Sequence, residues 1–294
     1  MSTSMIACAI DQKECAIVRM TKSGGNLYSL NGCKTFPFGL DHLDSAKGSR
    51  LLKKLDRHIN ERPDEELALC VAPKNYFPLP ASFPANTSAK KHQEYCRIEA
   101  QYFLSKPEAH DCDCACYGMS QNGLHEKKML LFYPAAACRK VSEHFAASRR
   151  LIFSGTPQLP LLHLSRFCAA RQVILEIESN YLLLTESKEG RIAQFSCREV
   201  KNRKESEYFT IKELVENPLC AETELQLTGT LADKAMTKLI KKETSMTLKP
   251  LGIPPTLSIS NLEKFSLSSA VAVKAVSLAL MALHEQKRFT LFSD

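Results

Sequence analysis

Short apolar runs broken by tight turns open the chain. Residues 5–10 (MIACAI) and 15–20 (CAIVRM) are two such runs, the second with β-branched Ile17 and Val18, and Asp11-Gln12-Lys13-Glu14 between them reads as a turn. Ser23-Gly24-Gly25-Asn26 is a second turn leading into residues 27–30, so the pattern predicts a three-stranded antiparallel meander. Leu51, Leu52, Leu55 and Ile59 recur at helical spacing and predict a helix over 45–60. Residues 67–72 form a buried-type strand. Pro73, Pro78, Pro80 and Pro84 then predict extended segments and loops over 73–88. A helix over 89–104 carries Tyr95, Ile98, Tyr102 and Phe103 on its apolar side. It is followed by a strand pair at 112–117 and 129–133 with Gln121-Asn122-Gly123 as the turn. A helix at 135–148, a strand at 151–153 and a helix at 161–170 complete this half.

The pattern then begins again. Strands are predicted at 172–177, 181–186 and 191–200, joined by turns at Ser179-Asn180 and Lys188-Glu189-Gly190. A short helix at 211–215, a strand at 224–228, Gly229, a helix at 231–243 and a strand at 247–250 follow. Residues 268–284 predict a helix that is apolar around most of its circumference, with Lys274 as its only interior charge, and hence a buried one. The order β-β-β-α-β-α thus occurs twice.

Composition narrows the class without naming an activity. At 294 residues, 44% apolar and 24% charged, the chain is ordinary globular material, which excludes disorder, collagen and coiled coil for its bulk. No apolar run reaches the ~18–20 residues that span a bilayer. The start, MSTSMIACAIDQKE, lacks a basic n-region and meets Asp11 early, so it does not read as a signal peptide. Twelve scattered cysteines read as reduced thiols of a cytosolic protein. The net charge of +7 is spread over Lys47, Arg50, Lys53, Lys54 and Arg57, then Lys201, Arg203 and Lys204, then Lys234, Lys238, Lys241 and Lys242. Without Trp, and without aromatics interleaved among these sets, the pattern does not favour nucleic acid.

Local catalytic motifs are lacking. There is no Gly-x-Ser-x-Gly elbow, Walker loop or His-Glu-x-x-His helix. Ala46-Lys47-Gly48-Ser49 lacks the glycine spacing of a phosphate loop and reads as a helix start. His42, His92, His125, His144 and His163 are isolated in sequence. Cys112, Cys114 and Cys116 after His110 invite a metal, yet alternate residues of a strand lie ~6.6 Å apart, against the ~3.8 Å between thiolates on one zinc. They are therefore expected to be buried thiols on a strand face, with no metal.

The duplicated order resembles the actin-like, ribonuclease H-like fold of two lobes with a cleft. Phe83-Pro84, Ile98-Glu99-Ala100-Gln101-Tyr102, Pro107 and residues 112–117 are similar to the PilM and GspL group, actin-like proteins of type IV pilus and type II secretion assembly. Leu225-Gln226-Leu227-Thr228-Gly229-Thr230 resembles the adenosine loop of that fold. The resemblance implies a first lobe of 1–170 with 266–294, carrying an inserted α/β module at about 76–148, and a shortened second lobe of 171–265.

It also implies where a nucleotide would bind. The family's first phosphate turn is Asp-x-Gly; here it is Asp11-Gln12-Lys13, without the glycine that lets backbone amides approach phosphate. The second corresponds to Glu176-Ile177-Glu178, where Glu178 sets a carboxylate against a phosphate, a repulsion of about 1–4 kcal/mol at ~4 Å. The adenosine loop keeps one glycine, in Gly229-Thr230. The stretch from Val200 to Glu224 has room for little more than one short helix, so half of the nucleotide clamp is missing. Asp11 and Glu176 are the carboxylates that the two-fold pattern pairs, and such a pair could bind magnesium.

The expectation is a non-enzymatic cytoplasmic scaffold without a cofactor. It would lie at the inner-membrane face and bind the cytoplasmic segment of a membrane-anchored assembly protein. That segment would lie at the edge of the inserted module, by strand addition or in a groove, with Tyr76 to Pro84 as a wall and Phe77, Leu79 and Phe83 as anchors. The alternatives are an ATPase or kinase-like enzyme using ATP with magnesium, and a nucleic-acid binder using Lys201, Arg203 and Lys204.

Overall fold

A computed structural model describes residues 2–25, 27–62, 65–118, 123–148, 150–217, 220, 224–265, 267 and 269–289. The chain forms two compact units, 1–73 with 135–164 and 253–294, and 74–134 with 165–252.

The first unit is built on a six-stranded sheet. Strands β1 (Ser2–Ile10), β2 (Cys15–Ser23) and β3 (Leu27–Phe36) form the predicted antiparallel meander. Helices α1 (Leu40–Leu43) and α2 (Gly48–Ile59) lead to β4 (Glu66–Val71), which pairs parallel to β1. Every residue from Met5 to Ile10 and from Leu67 to Val71 is buried, so these strands read as continuous apolar runs rather than alternating ones. The helix at 48–59 starts at Gly48, with Lys47 as its N-cap and no side-chain cap hydrogen bond, so the 46–49 stretch is a helix start as expected but supplies no capping side chain.

Further strands and helices complete the unit. They include α4 (Ala136–Ala146), β8 (Leu151–Gly155), parallel to β4, and α5 (Gln158–Leu164). A two-residue strand, β14 (Ile259–Ser260), which the sequence did not signal, pairs parallel to β3. The sheet order is β14-β3-β2-β1-β4-β8. The last helix, α8 (Ala270–Phe289), packs on β1, β2 and β4 and against α5.

The second unit repeats the plan. Strands β9 (Gln172–Ile177), β10 (Tyr181–Lys188) and β11 (Arg191–Glu199) form an antiparallel meander, and β12 (Leu225–Thr228) and β13 (Lys249–Pro250) extend it in parallel. Their order, β11-β10-β9-β12-β13, repeats the connectivity of the first sheet. Helices α6 (Arg203–Glu216) and α7 (Lys234–Thr244) pack Leu214, Met236 and Ile240 onto Val173, Leu175, Leu182 and Leu184. The helix α6 is longer than its apolar residues predict. The Asn202 side chain accepts from the Glu205 amide and starts the helix at Arg203, about two turns earlier, and an Arg203–Glu207 pair follows at i,i+4.

The insert belongs to this second unit. Strands β5 (Phe77–Pro84), β6 (His110–Cys116) and β7 (His125–Pro134) form a sheet of order β5-β7-β6, with α3 (Ala89–Phe103) packed on it. Tyr117 bridges to Ile192, the Gly118 amide donates to the Ile192 carbonyl at 2.8 Å, and the Arg191 guanidinium donates back to the Gly118 carbonyl at 2.8 Å. These bonds join the insert to β11. The contacts thus group the insert with the second unit and residues 253–265 with the first, which differs from the boundaries read from the sequence.

Residues 77–84 realise the expected extended segment as a strand, which tolerates three prolines because they fall at alternate positions. One local expectation is corrected. The cysteines of β6 are not its buried face: Asp113 and Ala115 are buried, Cys112 and Cys116 are half-buried, and Cys114 is exposed. The Cys112 thiol, hydrogen-bonded to Cys96 of α3, pushes Cys96 up to about 12 together with its burial, and the hydrogen bond with Cys96 pushes Cys114 up as well. The turn expected at Gln121-Asn122-Gly123 lies mostly outside the described residues.

Candidate functional site

The β1–β2 and β9–β10 turns have one geometry. Ile10 faces Cys15 and Ile177 faces Leu182 across four-residue loops. The Asp11 amide donates to the Glu14 carbonyl at 2.8 Å, and the Glu178 amide donates to the Tyr181 carbonyl at 2.9 Å. Asp11 therefore corresponds to Glu178, and Lys13 to Asn180. This corrects the pairing of Asp11 with Glu176. Glu176 lies inside β9, buried, opposite Leu183 and Thr228. Neither Lys13 nor Asn180 has a positive φ, so both turns close without glycine.

In the first turn the backbone is already engaged. The Leu40 amide donates to the Asp11 carbonyl at 2.8 Å and the Asp41 amide to the Gln12 carbonyl at 3.0 Å. Gly39 is required there, since a Cβ would collide with the Asp11 carbonyl. The buried Gln12 amide donates to the Ala72 and Pro73 carbonyls at 2.9 and 2.8 Å, tying the turn to the end of β4. Lys274 Nζ, fully buried, donates to both Asp11 carboxylate oxygens at 2.9 Å. This explains the single charge in the apolar face of α8. Lys13 is exposed.

In the second turn Glu178 is fully buried and accepts from the Thr230 hydroxyl at 2.5 Å. Gly229 has φ +104°, and a side chain there would collide with the Ile177 carbonyl. The Leu231 amide donates to that carbonyl at 3.0 Å. The Gly229-Thr230 loop is thus folded onto the turn, and its glycine has a packing reason of its own. Asn180 donates to the Lys74 carbonyl.

Comparison with solved structures bears on what this arrangement is. A chain of the PilM–PilN type IV pilus biogenesis complex matches with a TM-score of 0.71 and 14% identity, covering 95% of this chain and 98% of its own. The chain has the actin-like ATPase fold. An actin-like protein of unknown function from Bacteroides thetaiotaomicron matches with a TM-score of 0.49 and 13% identity over 94% of this chain and 95% of its own. The cytoplasmic domain of EpsL, an inner membrane component of the type II secretion system of Vibrio cholerae, matches with 0.44 and 10% over 99% and 96%. No family model matches the sequence, and no curated protein matches it.

In this actin-like chain the other predicted residues are placed as follows. Phe83 is buried, and Phe77 and Leu79 pack beside it with Leu130, Phe132 and Tyr95. They form the core of the insert under α3 and do not project as anchors, because the side chains at 77, 79, 81 and 83 share the inward face of β5. Between β5 and α3 a groove of about 250 Å³ is lined by Ser82, Pro84, Ile98 and Glu99, with Phe83 and Tyr95 at its floor. Ile98, Tyr102 and Phe103 expose 47%, 87% and 43% of their surface along α3. Arg203 is bound to Asp233 at 2.8 and 3.0 Å and to Glu207 at 2.9 Å, which removes it from a nucleic-acid surface with Lys201 and Lys204. Among the described residues, no helix is long and apolar enough to cross a membrane.

Proposed function

We propose that this chain is a non-enzymatic cytoplasmic scaffold of a type IV pilus or type II secretion-like assembly, which holds the cytoplasmic segment of a membrane-anchored partner. The whole-length similarity to a chain of the PilM–PilN complex supports the assignment of machinery and partner. The observation that carries the non-enzymatic part is the Lys274–Asp11 pair, with Thr230 on Glu178 as its counterpart. ATP with magnesium needs Asp11 for a hydrated cation and open amides for phosphate. Asp11 is neutralised by a buried ammonium, Lys13 and Asn180 stand in the glycine positions, and the Glu178 carboxylate is hostile to phosphate. These residues do not fit Mg-ATP.

The partner's segment docks in the groove between β5 and α3, over Ile98, and not by strand addition at β5. Capture from detergent-solubilised membranes tests this, comparing the wild type with Ile98→Ala. Ile98 is exposed, so the variant folds, and loss of one co-purifying membrane protein is expected. Equal recovery by the two proteins would remove the groove from the reading. Recovery of nothing by the wild type would remove the scaffold function.

A further inference from the structure

His163 stands alone in the sequence, but the fold gives it two neighbours. It lies on α5, and α8, packed against it, brings up His284 and Glu285. Among the described residues these three place one ligand atom each within 4.8 Å of one another. His163 Nδ1 is 3.5 Å from Glu285 Oε1, and the two imidazole rings lie 5.1 Å apart at 56°. His163 is 4% exposed, Glu285 is half-buried, and His284 opens to solvent.

From this geometry we infer that His163, His284 and Glu285 form a divalent transition-metal site, with zinc as its natural occupant. Two ligand atoms bound at ~2.0–2.2 Å in a tetrahedron lie ~3.3–3.6 Å apart, which the His163–Glu285 separation already matches. Two imidazoles and one carboxylate form a borderline donor set. It selects zinc, nickel or copper over magnesium and calcium, which prefer oxygen ligands. The buried His163 fixes one ligand by packing, and the exposed His284 gives the ion its entry and leaves a fourth position for water.

The ion joins two helices and acts as a clamp. It fastens α5 to the end of α8, the helix that also carries Lys274. The site is separate from the turns and does not depend on the scaffold reading.

The test is calorimetric titration of tag-free, metal-stripped protein with Zn²⁺, together with Co²⁺ absorption spectra. One ion per chain is expected, with tetrahedral cobalt bands and no thiolate charge-transfer band. His284→Ala and Glu285→Gln should each weaken binding by at least about tenfold. Both change partly or fully accessible side chains, so a melting curve like that of the wild type is expected of each apo variant. Cys114→Ser should bind as the wild type does, which separates this site from the thiols of β6 and α3. The inference is overturned if no saturable binding occurs, if the His284 and Glu285 variants titrate like the wild type, or if Cys114→Ser abolishes binding.

Discussion

Lys274 illustrates how one side chain can decide the state of a site. Its ammonium is fully buried, so it is tolerable only because two 2.9 Å hydrogen bonds reach Asp11. Removing either partner strands the other charge, and Lys274→Met is expected to cost about 3–5 kcal/mol in urea unfolding. The double variant Asp11→Leu with Lys274→Met removes both charges and is expected to recover most of that loss. A single variant that loses under about 1 kcal/mol would mean the pair is not holding the turn. Gly229→Ala meets a different obstacle, a backbone collision with Ile177 at a φ that alanine avoids. A fall in melting temperature is expected by scanning calorimetry. The sequence showed both residues as oddities, a lysine in an apolar helix and a lone glycine after a strand. It could not show Asp11 opposite Lys274, because 263 positions separate them. Likewise the match of Asp11 with Glu176 is two residues out of register, because Glu176 and Glu178 are both acids and residue type alone does not choose between them. The loop lengths, visible only once Ile177 faces Leu182, give Glu178.

At the level of elements, β5 shows why its prolines are compatible with a strand. In an antiparallel ladder alternate residues direct their N–H groups to opposite sides. Phe77, Leu79, Ala81 and Phe83 bond to β7, and positions 78, 80, 82 and 84 face outward. Three of those four are proline, so only Ser82 offers an N–H along that edge, which blocks pairing with a further strand. The prolines signal extended backbone or loop in the sequence, and their period of two is what selects a strand with one blocked edge. Restoring the donors with Pro78→Thr and Pro80→Thr is expected to increase self-association with concentration in light scattering, while the circular dichroism spectrum stays that of the wild type.

The helix α7 makes a pH-dependent case. Its N-cap Asp233 accepts from the Met236 amide at 2.9 Å, and the Arg203 guanidinium beside it holds its carboxyl down at about 2. A carboxyl lower in the folded than in the unfolded state contributes stability above the unfolded value, near ~3.9, and loses it as pH falls through about 2. Asp233→Ala is therefore expected to cost about 1 kcal/mol at pH 7. The difference from the wild type should shrink steadily below about pH 4 in acid titrations followed by circular dichroism.

For the molecule as a whole, the duplicated order was the most legible feature, because each half repeats a four-residue turn, a meander and two parallel strands. The placement of the insert was not legible, since it depends on Tyr117, Gly118 and Arg191 meeting residues about 73 positions away. The His163 cluster was hidden for the same reason. What the two halves share also bears on nucleotide. Both turns close on their own unit's groups, Lys274 and Gln12 in one, Thr230 and Lys74 in the other, and each would have to break those bonds to admit a phosphate. On the proposed scaffold function, such turns make ATP dispensable. Millimolar Mg-ATP is therefore expected to leave the melting temperature unchanged. Capture of the membrane partner is expected to proceed at the same yield with ATP present, with ATP removed by apyrase, or with Lys274 and Asp11 both replaced by apolar residues. A micromolar dissociation constant for Mg-ATP in calorimetry, or partner capture that depends on it, would show that the turns open and that the chain works by nucleotide after all.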